Sequence, residues 1–311
     1  MTITQLYYIL AVAEYSNFTQ AAKHCLVTQP TLSMQIQKLE DELKIRIFDR
    51  TKKPIELTNI GLKIVTQAKT ILAEVERVND IVDQEKGFIG GEFKLGISNS
   101  IMPTLLPLFF KSFISRYPKV KLNIEELKTN DIINKIKEGN LDGGIVSTPL
   151  NLEDIKERVI FYEKLVGYIS ENHRLKDKTL IEISDLDIND ILFKENDDSL
   201  RNMVVNMTQN EDTTQNNNFN LKSDSIEMLV KLTNEEMGMT VLPYLNTLDL
   251  KTHEIKNLRF FKNPHPAREV SLIYNISELK IQIINSIHKT ISENIKDLIK
   301  YQKDIKIISP I

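Results

Sequence analysis

Through Leu43 the apolar residues recur at helical spacing, and the interruptions fall on residues that cap helices. Ile3, Leu6, Leu10 and Ala13 form a stripe at i, i+3, i+7 and i+10, which predicts a first helix over residues 3–13. Asn17 is placed to cap a short second helix, Phe18 to His24. Thr28, with Pro30 in the first turn, opens a third whose buried face is Leu32, Ile36, Leu39 and Leu43. Two short helices joined by a tight turn, the second buried along one side only, predict a helix-turn-helix.

Stepping about 100° per residue around the third helix puts Pro30, Ser33, Met34, Gln37 and Lys38 opposite the Leu32 stripe, with Thr31 on the flank. This face is small and polar, whereas Glu40, Asp41 and Glu42 sit at the far end. A helix entering the major groove needs that asymmetry: its N-terminal dipole toward phosphate, short side chains toward base edges, and acids held away. In KIRIFDRTKKPIELT, Ile45 and Ile47, then Ile55 and Leu57, predict two short strands around the basic tip Arg50, Thr51, Lys52 and Lys53, a wing suited to phosphate.

Over residues 59–86, Ile64, Ala68, Ile71, Val75, Val78 and Val82 alternate in steps of four and three, an a/d heptad seam. Beside a DNA-binding unit such a seam suits a two-fold dimer reading paired half-sites, although a helix packed on its own domain shows the same pattern. The helix is expected to end near Gly87, with Gly90 and Gly91 as a joint. From Glu92 the pattern changes: EFKLGIS, VKLNIEEL and DGGIVST read as strands, with helices in MPTLLPLFFKSFISRYP and NDIINKIKEGN between them. That βαβαβ order implies a parallel sheet. A second, similar unit begins near 162, and REVSLIYN reads as a late strand feeding a long terminal helix. The glycines at 87, 90, 91 and 96 lack the spacing of a nucleotide-binding loop.

Composition narrows the field. At 311 residues, 41% hydrophobic and 27% charged, the chain has room for two or three domains of a globular protein. No Lys or Arg precedes Lys23, so the apolar start ending in Ala11 and Ala13 reads as a helix rather than a leader, and a cytoplasmic protein without a membrane span is expected. The net charge of −3 does not advertise nucleic-acid binding, which therefore rests on local organisation. Cys25, the single cysteine, reads as a buried structural thiol on the inner face of the second helix, and the five histidines show no metal-ligand spacing. No metal or cofactor is expected.

The stretch FTQAAKHCLVTQPTLSMQIQKLEDELKIRIFDRTKKPIELTNIG resembles the N-terminal module of LysR-type transcriptional regulators, and the likeness runs on through the chain. The resemblance implies an α/β protein with a winged helix-turn-helix over 1–58 and a dimerising coiled-coil linker helix and hinge over 59–89. The remainder, 90–311, is implied to be an effector domain of two lobes like a periplasmic binding protein, lobe I at 90–161 and 268–311 and lobe II at 162–267. It further implies assembly as a tetramer on promoter DNA, with RNA polymerase as a partner. By that resemblance the DNA-reading positions are Gln29, Pro30, Thr31, Ser33 and Met34, joined by Gln37 and Lys38 on the same face and by Arg50, Lys52 and Lys53 in the wing. Met34 departs from the arginine often found there, which removes a bidentate guanine reader.

Within the family the likeness is greatest to the peroxide-responsive, OxyR-like activators, through IMPTLLP, KTNDII, GNLDGGI, SLRNMVVNM and DSIEMLVKLTNEEMGMTVLP. Ser199 stands where those proteins carry a peroxide-reactive cysteine, and Met207 or Thr208 stands near its disulfide partner. A thiolate at a helix start has a lowered pKa and attacks peroxide, whereas a serine hydroxyl does not. Ser199 instead reads as the N-cap of a helix over 200–207. The missing second thiol, with Asp198 where histidine is usual, favours natural loss over a laboratory replacement. Ser100 and Thr129 lie at strand-to-helix turns where the resemblance places a pocket between lobes, although helix caps have the same appearance.

Three classes of function remain in view. A sequence-specific regulator accounts for the winged module, the heptads and the two-lobed domain together, with oxidative-stress or related genes as its implied targets. Its trigger is peroxide, or a small-molecule effector, or the chain is locked in a reduced-like state. A transport receptor explains the lobes but not residues 1–86. An enzyme requires a nucleophile or paired carboxylates that no spacing supplies.

Overall fold

The structure, a computed structural model, describes residues 1–85, 89–193, 198–208, 225–299 and 304–310. The expected helix end at Gly87 and the acidic run 195–197 lie outside them. The chain divides into two units, Met1–Phe88 and Ile89–Ile311.

In the first unit, α1 (Ile3–Tyr15), α2 (Phe18–His24) and α3 (Gln29–Leu43) begin where their capping residues dictate. Asn17 accepts from the amides of Thr19 and Gln20, and Thr28 accepts from that of Thr31. The buried face of α1 is Leu6, Ile9 and Val12 with Gln5, Tyr8 and Ala11, rotated from the expected stripe. Ile3 is exposed and Leu10 and Ala13 are half-buried. Because α1 is apolar on nearly every side, periodicity could not choose between the faces. In α3, Leu32, Ile36 and Leu39 are fully buried as expected, and Leu43 partly so.

The wing is narrower than its alternating residues suggest. Its strands are β1 (Phe48–Asp49) and β2 (Glu56–Leu57), paired antiparallel with Phe48 opposite Leu57. Ile45 and Ile47 stay outside β1 because their backbones are used elsewhere. Lys44 turns left-handed (φ 54°), and the Ile45 amide closes on the Glu40 carbonyl. The Ile47 amide donates to the Glu40 side chain, and its carbonyl accepts from Thr58.

Helix α4 (Asn59–Glu85) follows, and at Gly61 an added Cβ would lie 2.0 Å from the Ile47 carbonyl oxygen, so only glycine fits this approach of helix to wing. The heptad seam splits along α4. Ala68 is buried and Ile64 and Ile71 half-buried against the unit's own core, whereas Val75, Val78 and Val82 are exposed.

The second unit is organised by a mixed sheet. Strands β3 (Gly91–Ser98), β4 (Val120–Leu127) and β5 (Gly143–Thr148) are parallel in the order β4-β3-β5, joined through α5 (Met102–Arg116) and α6 (Thr129–Lys137). The βαβαβ reading therefore describes this part, but the parallel sheet does not continue. The long strands β6 (Ile155–Tyr168) and β10 (His265–Asn275) run antiparallel to each other, and β10 runs antiparallel to β5.

The end of β6 enters a second sheet region with β7 (Leu180–Ile181), β8 (Thr240–Pro243) and β9 (Leu258–Phe261). Around these strands lie α7 (Asp198–Thr208), α8 (Ile226–Asn234) and the single turn α9 (Tyr244–Thr247). Helix α10 (Ile281–Ile295) packs on the first region, and β11 (Ile305–Ile307) adds parallel to β10. Each region has its own core, Phe93, Leu95, Phe109 and Ile287 in the first, Leu165, Ile181, Met203 and Met239 in the second. No helix among the described residues is long and apolar enough to cross a membrane, and they hold no cluster of three metal-ligating side chains.

Candidate nucleic-acid interface and regulatory site

Burial of Leu32, Ile36 and Leu39 fixes which side of α3 is turned outward. Gln29, Pro30, Thr31, Met34 and Lys38 are exposed, and Ser33 and Gln37 are half-buried. Pro30 supplies no amide in the first turn, where the donors are unpaired within the helix in any case. The Thr31 hydroxyl lies 2.8 Å from that of Thr28. Gln37 donates to Asp41 (2.7 Å) and accepts from Arg46 (2.8 Å). Among the described residues, no hydrogen bond or ion pair engages the side chains of Gln29, Lys38 or Lys53.

Glu40 is the organising residue that helical periodicity did not identify. It sits with Asp41 and Glu42 at the acidic far end of the helix, yet it is only 1% exposed. One carboxylate oxygen accepts from the amides of Ile47 (2.7 Å) and Phe48 (3.2 Å), while the other meets Arg46 (3.3 Å) and Arg50 (3.1 Å). A carboxylate so placed ties α3 to the wing and satisfies two backbone donors that the short β1 leaves over. Arg50 also stacks on Phe18 at 5.0 Å and reaches Ser33 at 3.5 Å. The wing's basic tip is thus divided. Arg50 is anchored to α3, Lys52 pairs with Glu56 at 2.6 Å, and Lys53 stays open to solvent. The signal that would have found Glu40 was the pair of arginines following the helix.

Cys25 is the C-cap of α2, half-buried and packed against the unit's core, and burial pushes its thiol up from the usual value. A thiol so placed is a poor nucleophile at neutral pH.

In the second unit the four sensor positions lie on different elements. Ser100, in the turn after β3, is buried, and its hydroxyl accepts from Arg268 Nη1 at 3.2 Å. Arg268 and Glu163 stand opposite each other on β10 and β6, joined at 2.7 Å with side chains 1% and 0% exposed. The other oxygen of Glu163 accepts from the Leu245 amide at 2.6 Å. One ion pair therefore links the turn after β3, both long strands and the turn at α9. Neither charge was singled out from sequence, although each interrupts an apolar strand run and a fully buried charge demands a partner. Thr129 is the first residue of α6 and makes no cap; Lys128 holds that position.

Ser199 is not the cap of its helix. Helix α7 begins at Asp198, so Ser199 sits inside the first turn, 6% exposed, and its hydroxyl has no hydrogen-bond partner among the described residues. The apolar stripe Leu200, Met203, Val204 and Met207 is buried as the spacing predicts. Arg201 lines a narrow apolar crevice with Phe193, Val204 and Val241, whereas the Asp198 side chain lies outside the described residues. Thr208 closes the helix, its hydroxyl donating to the Val205 carbonyl at 3.0 Å. Nine residues separate it from Ser199, about 13 Å along a helix axis.

A family model described as bacterial regulatory helix-turn-helix protein, lysR family, matches residues 3–62, and one described as LysR substrate binding domain matches residues 86–280. A Haemophilus influenzae protein named hydrogen peroxide-inducible genes activator is 28% identical over 300 residues, covering 96% of this chain and 99% of its own. The Escherichia coli protein named DNA-binding transcriptional dual regulator OxyR is 30% identical over 275 residues, covering 88% and 89%. The solved structure of a full-length OxyR from Pseudomonas aeruginosa, carrying a Cys-to-Asp substitution, superposes with a TM-score of 0.73 at 28% identity and covers 94% of this chain and 98% of that one.

Proposed function

The chain belongs to the LysR family of bacterial helix-turn-helix regulators, and from that premise we propose that it reads paired promoter half-sites as a dimer and switches without a cysteine pair. It is a DNA-binding transcriptional regulator of OxyR-like type. The observation that carries the DNA-reading assignment is α3 itself, apolar and fully buried on one side and, on the other, free of acids through its first turns, with Gln29, Pro30, Thr31, Met34 and Lys38 exposed.

In this reading Gln29, Pro30, Thr31, Ser33 and Met34 approach base edges while Lys38, Lys52 and Lys53 meet phosphates. Arg50 and Gln37 act chiefly by holding α3 and the wing in register, since Glu40, Asp41 and Arg46 already engage them. Residues 1–58 bind DNA, 59–89 pair and hinge, and 90–311 receive the signal in lobes 90–161 with 268–311 and 162–267. The exposed valines at 75, 78 and 82 are the part of the seam left for a second copy, and two such dimers form a tetramer. At a promoter the assembly activates transcription through RNA polymerase, with oxidative-stress genes as the expected targets.

A second reading of the trigger has its own support. The chain has one cysteine, Cys25, which belongs to the first unit, whereas α7 belongs to the second. The hydroxyl at Ser199 cannot form the sulfenic acid or disulfide that a thiol would. A reversible small-molecule effector, or a chain held in its reduced-like form, fits this composition. Retention of the chain's own upstream DNA over random duplex at moderate salt tests the function, and equal retention of both sinks it.

A further inference from the structure

On a helix turning about 100° per residue, Met34 stands at the middle of the outer face of α3. It lies about 160° from both Leu32 and Ile36, with Pro30 and Lys38 about 40° to either side. Leu32 and Ile36 are fully buried and Met34 is 62% exposed. The side chain offered most squarely to a groove is therefore a flexible thioether with no strong donor or acceptor.

Its surroundings point the same way. Pro30 is apolar, and Thr31, whose hydroxyl lies 2.8 Å from that of Thr28, adds a methyl group beside it. Of the side chains built for bidentate base recognition, Gln37 lies between Asp41 and Arg46, Arg50 lies between Glu40 and the Phe18 ring, and Gln29 stands about 140° from Met34 around the helix. Lys38 remains for phosphate. Among base edges in the major groove, thymine offers an apolar group, its 5-methyl.

We propose that Met34, flanked by Pro30 and Thr31, reads thymine at one fixed position of each half-site through that methyl group. The proposal rests on the DNA-reading role of α3. Replacing a thymine by deoxyuridine removes the methyl and leaves every hydrogen-bonding edge intact, so it isolates this contact. Burial of one methyl-sized group corresponds to about a fourfold change in Kd, or about fifteenfold when both half-sites of a dimer lose it.

The test begins with duplexes that the full chain enriches from a randomised pool, in which deoxyuridine then replaces thymine one position at a time. One position per half-site is expected to weaken binding about fourfold with the wild-type chain. With Met34→Ala the thymine and deoxyuridine duplexes bind alike, and Met34→Arg moves the preference at that position to guanine. Met34 is exposed, so neither variant disturbs the core. Insensitivity at every position, or full sensitivity retained by Met34→Ala, overturns the proposal. Failure to enrich any sequence overturns the DNA-reading premise as well, which keeps the two failures apart.

Discussion

Replacing Glu40 by alanine removes the buried carboxylate that ties the reading helix to the wing, and its cost follows from the contacts it makes. Two buried amide donors, on Ile47 and Phe48, lose their acceptor, at about 1–3 kcal/mol each. The partners Arg46 and Arg50 are 62% and 36% exposed at the side chain, so they return to water and add about 0–1 kcal/mol each after solvent screening. The total is about 4 kcal/mol, a large share of the roughly 4–13 kcal/mol expected for a unit of some 90 residues.

Glu40→Gln keeps an oxygen for the two amides and loses the charge, at about 1–2 kcal/mol. Urea unfolding of the full chain reads the ordering, and amide hydrogen exchange reads the site. Ile47 and Phe48 exchange slowly in the wild type and fast in Glu40→Ala, with Glu40→Gln between. Unchanged protection at those two amides, or a loss below about 1 kcal/mol, refutes the reasoning.

Three further outcomes follow from the second unit. Glu163→Ala strands the buried Arg268 charge and costs about 3–5 kcal/mol, whereas Glu163→Leu with Arg268→Met restores most of that loss in thermal unfolding; additivity of the two changes contradicts the pair. Burial holds the His288 imidazole below its ordinary value of 6.5, so the unfolded chain takes up this proton first as pH falls. Stability at this site is therefore present above about pH 6.5 and lost below it, and His288→Gln flattens the acid limb of the unfolding curve; an unchanged limb contradicts this. Ser199→Cys with Thr208→Cys leaves two free thiols while α7 is intact, because about 13 Å of helix separates positions that a disulfide needs within about 7 Å. Titrated thiols disappearing with no loss of helical signal in circular dichroism contradicts that geometry.

What was legible in the sequence was what local rules determine. Asn17 and Thr28 placed the starts of α2 and α3, and the βαβαβ order of the first region followed from its alternating patterns. What was not legible depended on partners distant along the chain. Glu40 lies about 80° from Leu32 on the helical wheel, where an acid ordinarily meets solvent, and only the folded wing brings two amides and two guanidiniums to it. Arg268 and Glu163 are 105 residues apart, and their pairing needs β6 beside β10 in one register. The start of α7 was misread by two residues: the helix begins at Asp198 rather than at 200, which puts Ser199 inside the first turn, its buried hydroxyl without a partner among the described residues. The seam on α4 was legible as a pattern, but its division into a half that packs at home and a half left exposed was not.

The most direct test of the account is a footprint of the full chain on its own upstream DNA with random duplex in excess, taken before and after hydrogen peroxide. The account predicts a protected segment with two-fold spaced half-sites that is the same in both states. No protection above that of random DNA contradicts a sequence-specific regulator, and a segment that shifts with peroxide contradicts a switch that works without a cysteine pair.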